Sequence, residues 1–368
     1  MNFLSSANAK DRKNTAGKLA VFFLICLFGF SSCSAIDPDN QEKEIPFVQD
    51  GKLYSFTVGS PSSFNVRAYD LYNFTEGFSQ RAVSSSSLNG YILAWSKKTQ
   101  NLYHIDINKK ITGLVSVSGQ VVYVNQNYIL TQTNTFIENK GFSFTLYKIN
   151  YSRNGKKIKT EEIWNGEIDC FISDVFFTDD GICISGGNQN DSKNNVYYIT
   201  GNGIHKCFAI EKNSNFLRIM NDGNDVYAFL SGRDKSAAEP LLYKFALNNP
   251  DGKIINLKND LKFPSGFDCF FGYGFSMTNP QNESSRLIVL PASVKGVISF
   301  MCIESKTGHI SSVVSDVTGC VAGLGAGPEG YYYMARDPLI EGSYYGIALF
   351  DGKTSGRIHP YSESFRPA

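Results

Sequence analysis

The chain has little tryptophan and proline, 2 Trp and 12 Pro in 368 residues, and only 19% of its residues are charged. Its 35 Lys and Arg nearly balance 34 Asp and Glu, for a net charge of +1. The basic residues are scattered, so the basic stripe of a nucleic-acid footprint is missing and no net field pulls the chain to an anionic surface. No two cysteines stand at CxxC spacing, which argues against zinc. The four histidines, His104, His205, His309 and His359, fall in or beside outer strands of different repeats. A metal site or catalytic base needs such groups to converge. Nothing in the sequence implies a cofactor. Beyond the N-terminus there is no amphipathic helical period, so the mature chain reads as all-β.

Glycine and aromatics are plentiful, with 33 Gly, 28 Phe and 20 Tyr. They recur in register. Second strands are expected after turns at Gly51, Gly90, Asn127, Gly181, Asn224, Gly272 and Gly330. Third strands carry an aromatic near their start, as in Leu102–Ile107, Leu146–Ile149, Val196–Ile199 and Leu242–Leu247. A turn with Gly or Lys and then an Ile opens the fourth, as at Lys110-Ile111, Gly203-Ile204, Gly308-His309-Ile310 and Gly356-Arg357-Ile358. The first copy, Thr75–Phe78, is degenerate. Tyr103 and Tyr147 lie 44 residues apart, within the ~40–50 of a propeller blade. One such sheet cannot bury both faces alone, whereas sheets stacked around an axis can. The pattern predicts a seven-bladed β-propeller of four-stranded antiparallel blades over residues 45–368. Two β-sandwiches would also use short regular strands, but not three elements recurring in step.

Residues 1–18 are basic, with Lys10, Arg12, Lys13 and Lys18 against Asp11, and the apolar run Leu19–Phe30 follows. Its twelve residues fall short of the ~20 that span a bilayer as a helix and suit a secretory signal. Ser31-Ser32 directly before Cys33 makes residues 1–32 resemble a bacterial lipoprotein signal peptide, with Cys33 the lipidated first residue. Phe30 departs from the leucine usual in that signal. Residues 33–44 then form a polar tether. The whole layout resembles propeller lipoproteins of Bacteroidetes-type Gram-negative bacteria, often associated with nutrient capture. This resemblance implies a cell-envelope, outer-membrane protein held to the membrane by its lipid. An acidic run behind the cysteine marks surface display in that group. Here Asp37, Asp39, Glu42 and Glu44 are diffuse, which leaves the periplasmic and surface faces both open.

Six cysteines remain after the leader and Cys33, and packing as small buried hydrophobes is the expectation for them. Cys170, Cys269 and Cys320 fall at one point of three innermost strands. Asp169, Asp174 and Asp268 lie on or next to innermost strands and could point into the channel, though acids at strand ends also cap turns. Convergence of two or more of Asp169, Asp174, Asp268, Arg218 and Arg336 within about 5–10 Å would favour paired-carboxylate chemistry. Long polar loops joining second to third strands (Ser60–Phe64, Thr133–Lys140, Gly186–Asn195, Ser231–Glu239, Thr278–Ser285, Arg336–Ser343) would share one face as a binding rim. Tyr331, Tyr332, Tyr333, Tyr344 and Trp95 could stack on sugars or pack between blades. The leading expectation is a lipid-anchored binding or interaction module for a glycan or an envelope protein. The alternatives are a glycan hydrolase or lyase at the channel, and an envelope scaffold, which predicts a large apolar patch on one face.

Overall fold

Short apolar segments punctuated by turns become strands throughout the computed structural model. It describes residues 44–359 apart from 59–65, 69–76, 85–89, 188–192, 212–215, 232–241, 248–254, 257–261, 337–345 and shorter breaks. Lys43–Ala368 forms one compact unit, and Met1–Glu42, with the expected leader, Cys33 and most of the tether, lies outside the described residues.

The strands run in chain order through successive sheets. The first sheet holds β1 (Glu44–Gln49), β2 (Lys52–Thr57) and β3 (Val66–Ala68). The second holds β4 (Phe78–Val83), β5 (Tyr91–Ser96), β6 (Asn101–Asp106) and β7 (Lys110–Val115). The third holds β8 (Gln120–Val124), β9 (Tyr128–Ile137), β10 (Gly141–Tyr151) and β11 (Ile158–Ile168). The fourth holds β12 (Phe171–Phe177), β13 (Gly181–Gly187), β14 (Lys193–Thr200) and β15 (Gly203–Glu211). A nine-stranded sheet joins β16 (Phe216–Asp222), β17 (Asp225–Ser231), β18 (Leu242–Ala246) and β19 (Ile255–Asn256) to β20 (Phe267–Phe270), β21 (Phe275–Asn279), β22 (Asn282–Val294), β23 (Val297–Glu304) and β24 (Ile310–Ser315). The last holds β25 (Gly319–Gly327), β26 (Gly330–Arg336), β27 (Gly346–Phe350) and β28 (Ser355–His359).

This is an all-β propeller with four-stranded blades. The described strands form six sheets rather than the seven expected. The reason is local: a parallel bridge between Ser231 and Phe270 fuses two neighbouring repeats into one double-width sheet. A second correction concerns the segment at Gly272, expected to open a second strand. It leads instead into β21, which pairs with the first half of β22 while β20 pairs with the second half. The innermost strand there is thus interrupted at 271–274, and the 13-residue β22 serves as its partner on both sides. Thr278–Ser285 is consequently the hairpin between β21 and β22 and does not belong to the expected rim. The degenerate first copy is also corrected, since Phe78 opens β4 of the next sheet.

Apolar wedges between neighbours hold the ring together. Ile45, Phe47 and Phe56 of the first sheet pack with Leu324, Tyr332 and Ile347 of the last, closing the circle. The two halves of the double sheet meet at Phe229, Phe270, Leu290 and Met301. The aromatic abundance is used here: Phe300 lies edge-on to Phe275, Tyr333 and Phe350 at centroid distances of 5.6, 5.5 and 4.9 Å. Edge-to-face rings bury large area in defined geometry. Trp95 is buried in the wedge between the second and third sheets. Cys170, Cys183 and Cys302 are buried free thiols, and burial pushes the Cys170 thiol up to about 12. They pack as small hydrophobes. No helix among the described residues is long and apolar enough to cross a membrane.

Candidate functional site

The innermost strands enclose an axial cavity of about 590 Å³. β4, β8, β12, β16, β21 and β25 all line it, so every sheet but the first contributes an innermost strand. Four of those strands lose register with their partner at the level of the cavity. The shifts fall between Phe78 and Val83, Val121 and Tyr123, Ile172 and Asp174, and at two places between Cys320 and Gly325. A bulge adds an unpaired residue and re-aims the side chains beside it. Arg81, Tyr123 and Asp174 lie within or immediately after such shifts, and all three reach the cavity. Tyr273 comes from the interruption between β20 and β21, where Gly272 takes a φ of +67° that favours glycine.

These side chains interlock. The Arg81 Nη2 donates to the Tyr273 hydroxyl at 2.6 Å. The Arg218 guanidinium stands 4.0 Å from the Tyr273 ring centroid, and its Nη1 donates to the Ser173 carbonyl at 2.5 Å. Arg81 also lies 5.7 Å from the Tyr123 ring centroid. Asp174 is 8% exposed, and its Oδ1 and Oδ2 accept the backbone N–H groups of Val175 and Ile219 at 3.0 and 3.1 Å. Burial raises its carboxyl to about 6 against the opposing pull of Arg218, those two N–H groups and Arg81. Tyr123 is 8% exposed, and its buried hydroxyl has no hydrogen-bond partner among the described residues. Leaving such a group unsatisfied costs on the order of 1–3 kcal/mol. Burial also pushes the Tyr123 phenol upward, so it stays protonated and is a donor.

Elsewhere in the cavity Arg286 and Ser276 both donate to Asp222. Burial alone would raise the Asp222 carboxyl, but hydrogen bonds from Ser305, Ser276 and Arg286 outweigh it and hold it below the usual range. Tyr331 stacks on Phe275 with centroids 4.2 Å apart. Gly323 makes room for it, since a Cβ there would stand 2.5 Å from the Tyr331 hydroxyl. A second cavity of about 420 Å³ shares Ser79, Arg81 and Tyr123 with the first. Phe142 and the 46%-exposed Phe171 line it, edge-on at 5.4 Å.

The expected site residues divide. Asp174 and Tyr331 line the axial cavity, and Arg218 packs on its Tyr273. Asp174 and Arg218 therefore converge, but as an acid beside a base. Asp169 sits in the connection from β11 to β12 and lines neither cavity. Asp268 is bound into the far end of β22, accepting from Ser293 at 2.8 Å and from the Gly296 N–H at 3.3 Å. Both leave the expected channel position because strand ends place them at turns. Tyr333 is a packing residue, wholly buried between the double sheet and the last sheet, with its hydroxyl on Ser355. Arg336 contributes backbone to the end of β26, pairing with Gly319. Tyr344 lies outside the described residues, as do most of the expected rim loops. Thr133–Ile137 is part of β9 and not loop. His104 is buried and stacks on Tyr91 at 4.5 Å. Among the described residues no three of His, Cys, Asp and Glu group as metal ligands. The exposed large apolar side chains there, Leu114, Phe171, Ile204 and Val297, sit on four different strands.

The raised Asp174 carboxyl predicts a pH dependence with a definite sign. The folded state holds this proton up to about 6, whereas an ordinary aspartate carboxyl releases it near 3.8. Stability is thus greatest below pH 4 as far as this group is concerned, and is lost as pH rises toward 6. The full loss is about 3 kcal/mol. Asp174→Asn should remove that part, so urea denaturation of variant and parent at pH 4 and pH 7 should show a smaller loss in the variant. Equal losses would contradict the assignment.

Together the stacked sheets and shared axial cavity define a β-propeller. No family model matches the sequence, and no curated protein matches it. Solved structures match by fold. A prolyl endopeptidase aligns with a TM-score of 0.54 at 9% identity, covering 86% of this chain and 49% of its own. A candidate 6-phosphogluconolactonase of Bacteroides fragilis gives 0.49 at 10% identity, covering 87% and 94%. The Pyrococcus horikoshii acylaminoacyl peptidase gives 0.48 at 13% identity, covering 89% and 53%. The chain spans about half the length of these peptidases.

Proposed function

We propose that the chain is a binding module whose ligand site is the axial cavity, held at the outer membrane by a lipid on Cys33. The observation that carries the reading is the convergence of Arg81, Tyr123, Asp174, Arg218 and Tyr273 around one cavity. These five come from separate places in the chain. Wedge packing would not require a buried phenol with no partner among the described residues, or two guanidiniums about one ring. The volume of about 590 Å³ falls within the ~300–1,000 Å³ of small-ligand sites. A glycan is the ligand class we favour, since the half-buried Tyr331 lines the cavity beside polar donors. The anchor is supported by the basic, apolar and small-residue order of residues 1–33.

A second reading, a glycan lyase or hydrolase in the same cavity, is favoured by one fact: the Asp174 carboxyl is raised to about 6, toward the range of a working acid or base. A hydrolase needs a second carboxylate across the bond; neither Asp169 nor Asp268 lines the cavity, and Asp222 is held by Arg286 and Ser276. Binding therefore leads. A thermal-shift screen of the full chain against mono- and oligosaccharides tests it, with hits repeated in Arg81→Gln and Asn188→Ala. A shift lost in the first variant and kept in the second supports the cavity. Loss only in the second would move the site to the rim, and turnover of a bound glycan would establish the enzyme.

A further inference from the structure

Building on the reading of the axial cavity as the ligand site, we infer that the neighbouring cavity of about 420 Å³ is a second subsite. The ligand is then an oligosaccharide with successive units in the two cavities. Ser79, Arg81 and Tyr123 line both. Two innermost strands also run from one cavity to the other. On β8, Gln120, Val121 and Val122 line the second cavity, and Tyr123 lines both. On β12, Phe171 and Ile172 line the second cavity, whereas Asp174, Val175 and Phe176 line the axial one. From Gln120 to Tyr123, as from Phe171 to Asp174, the strand advances roughly 10 Å, a length that takes more than one sugar ring. Phe171 pairs with Gly187, the last residue of β13, so the second cavity lies toward the face where second strands end.

The lining suits a sugar unit. Phe171 is 46% exposed although it belongs to an innermost strand, and Phe142 packs against its ring edge-on at 5.4 Å. A large ring left open in a cavity offers an apolar surface to the C–H face of a pyranose. Gln120 and Gln132 stand opposite each other on β8 and β9, and both line the cavity. Primary amides donate and accept, as sugar hydroxyls require. Tyr123, whose buried hydroxyl has no hydrogen-bond partner among the described residues, belongs to both linings. A donor shared by the two cavities meets the ligand where its units join.

Isothermal titration of the full chain reads the second subsite as a gain of affinity with length. The probes are glucose, cellobiose and cellotriose; glucose, maltose and maltotriose; and xylose, xylobiose and xylotriose. The expected result is a di- or trisaccharide bound about tenfold or more tighter than the monosaccharide of its series. Phe171→Ala should abolish that gain and leave the monosaccharide affinity as in parent. Equal affinities along every series would overturn the second subsite and leave the axial cavity reading standing. A gain with length that survives Phe171→Ala would overturn it too, since the added units would lie elsewhere. No binding by any of these sugars would overturn both readings. The length series uses unmodified protein, so its answer does not depend on how the variant folds.

Discussion

Phe300→Ala is expected to lower the unfolding free energy by about 3–5 kcal/mol. Phe300 is fully buried on β23, and three rings, Phe275, Tyr333 and Phe350, stand edge-on around it. Removing it deletes the transfer free energy of a large side chain and opens a cavity that rigid neighbouring sheets cannot close. The loss extends to the site, because Phe275 is also the ring on which Tyr331 stacks at 4.2 Å. Urea denaturation should therefore show the variant well below parent, whereas Ile204→Ala, at a 42%-exposed position, should change little. A loss under about 1 kcal/mol for Phe300→Ala would mean that the wedge is not packed as described.

Gly272→Ala is expected to be comparably severe, about 3 kcal/mol or more, through backbone rather than packing. Its φ of +67° costs an L-residue on the order of 1–2 kcal/mol. In addition, a Cβ there would stand 2.2 Å from the Cys320 carbonyl oxygen, a contact that forces backbone to move. Gly308 provides the control: its φ is +70° and nothing lies within 4 Å of its Cβ position. Gly308→Ala should thus show the conformational cost alone, and the difference between the two variants isolates the collision. Because Tyr273 is the next residue, Gly272→Ala should also weaken ligand-induced stabilisation, which Gly308→Ala should leave intact. Similar behaviour of the two variants would remove the proposed role of the 271–274 interruption.

The repeat was legible because turns and strand interiors follow different chemistry. The Gly or Asn positions at 51, 90, 127, 181, 224 and 330 do precede or open second strands, β2, β5, β9, β13, β17 and β26. Strand pairing there is regular enough for the pattern to survive in one dimension. The innermost strands are different. Their bulges break the alternation of faces, so nothing in Phe78–Val83 or Gln120–Val124 distinguishes the residue that will face the axis. Arg81 and Tyr123 were missed for that reason. The one signal available was the single charged side chain of Phe78–Val83 and the single phenol of Gln120–Val124. Tyr273 was missed because Gly272-Tyr273-Gly274 reads as the opening of one more second strand, whereas its glycines serve close approaches, Gly272 to the Cys320 carbonyl and Gly274 to Met220 and Leu290. Asp174 was legible as an acid on an innermost strand. Nothing in the sequence separated it from Asp169 and Asp268, since turn capping and cavity lining use the same side chain. The fusion of two repeats was likewise hidden, because it rests on one bridge between Ser231 and Phe270.

If the cavity exists for a ligand at some expense to stability, Tyr123→Phe shows it in one paired measurement. The variant removes a single buried hydroxyl that has no partner among the described residues. Thermal unfolding with and without the tightest-binding sugar should show the ligand-free variant as stable as parent or more so, by about 1 kcal/mol, with the ligand-induced shift largely lost. A ligand-free variant clearly less stable than parent, with its ligand-induced shift intact, would contradict the account and make Tyr123 a structural residue.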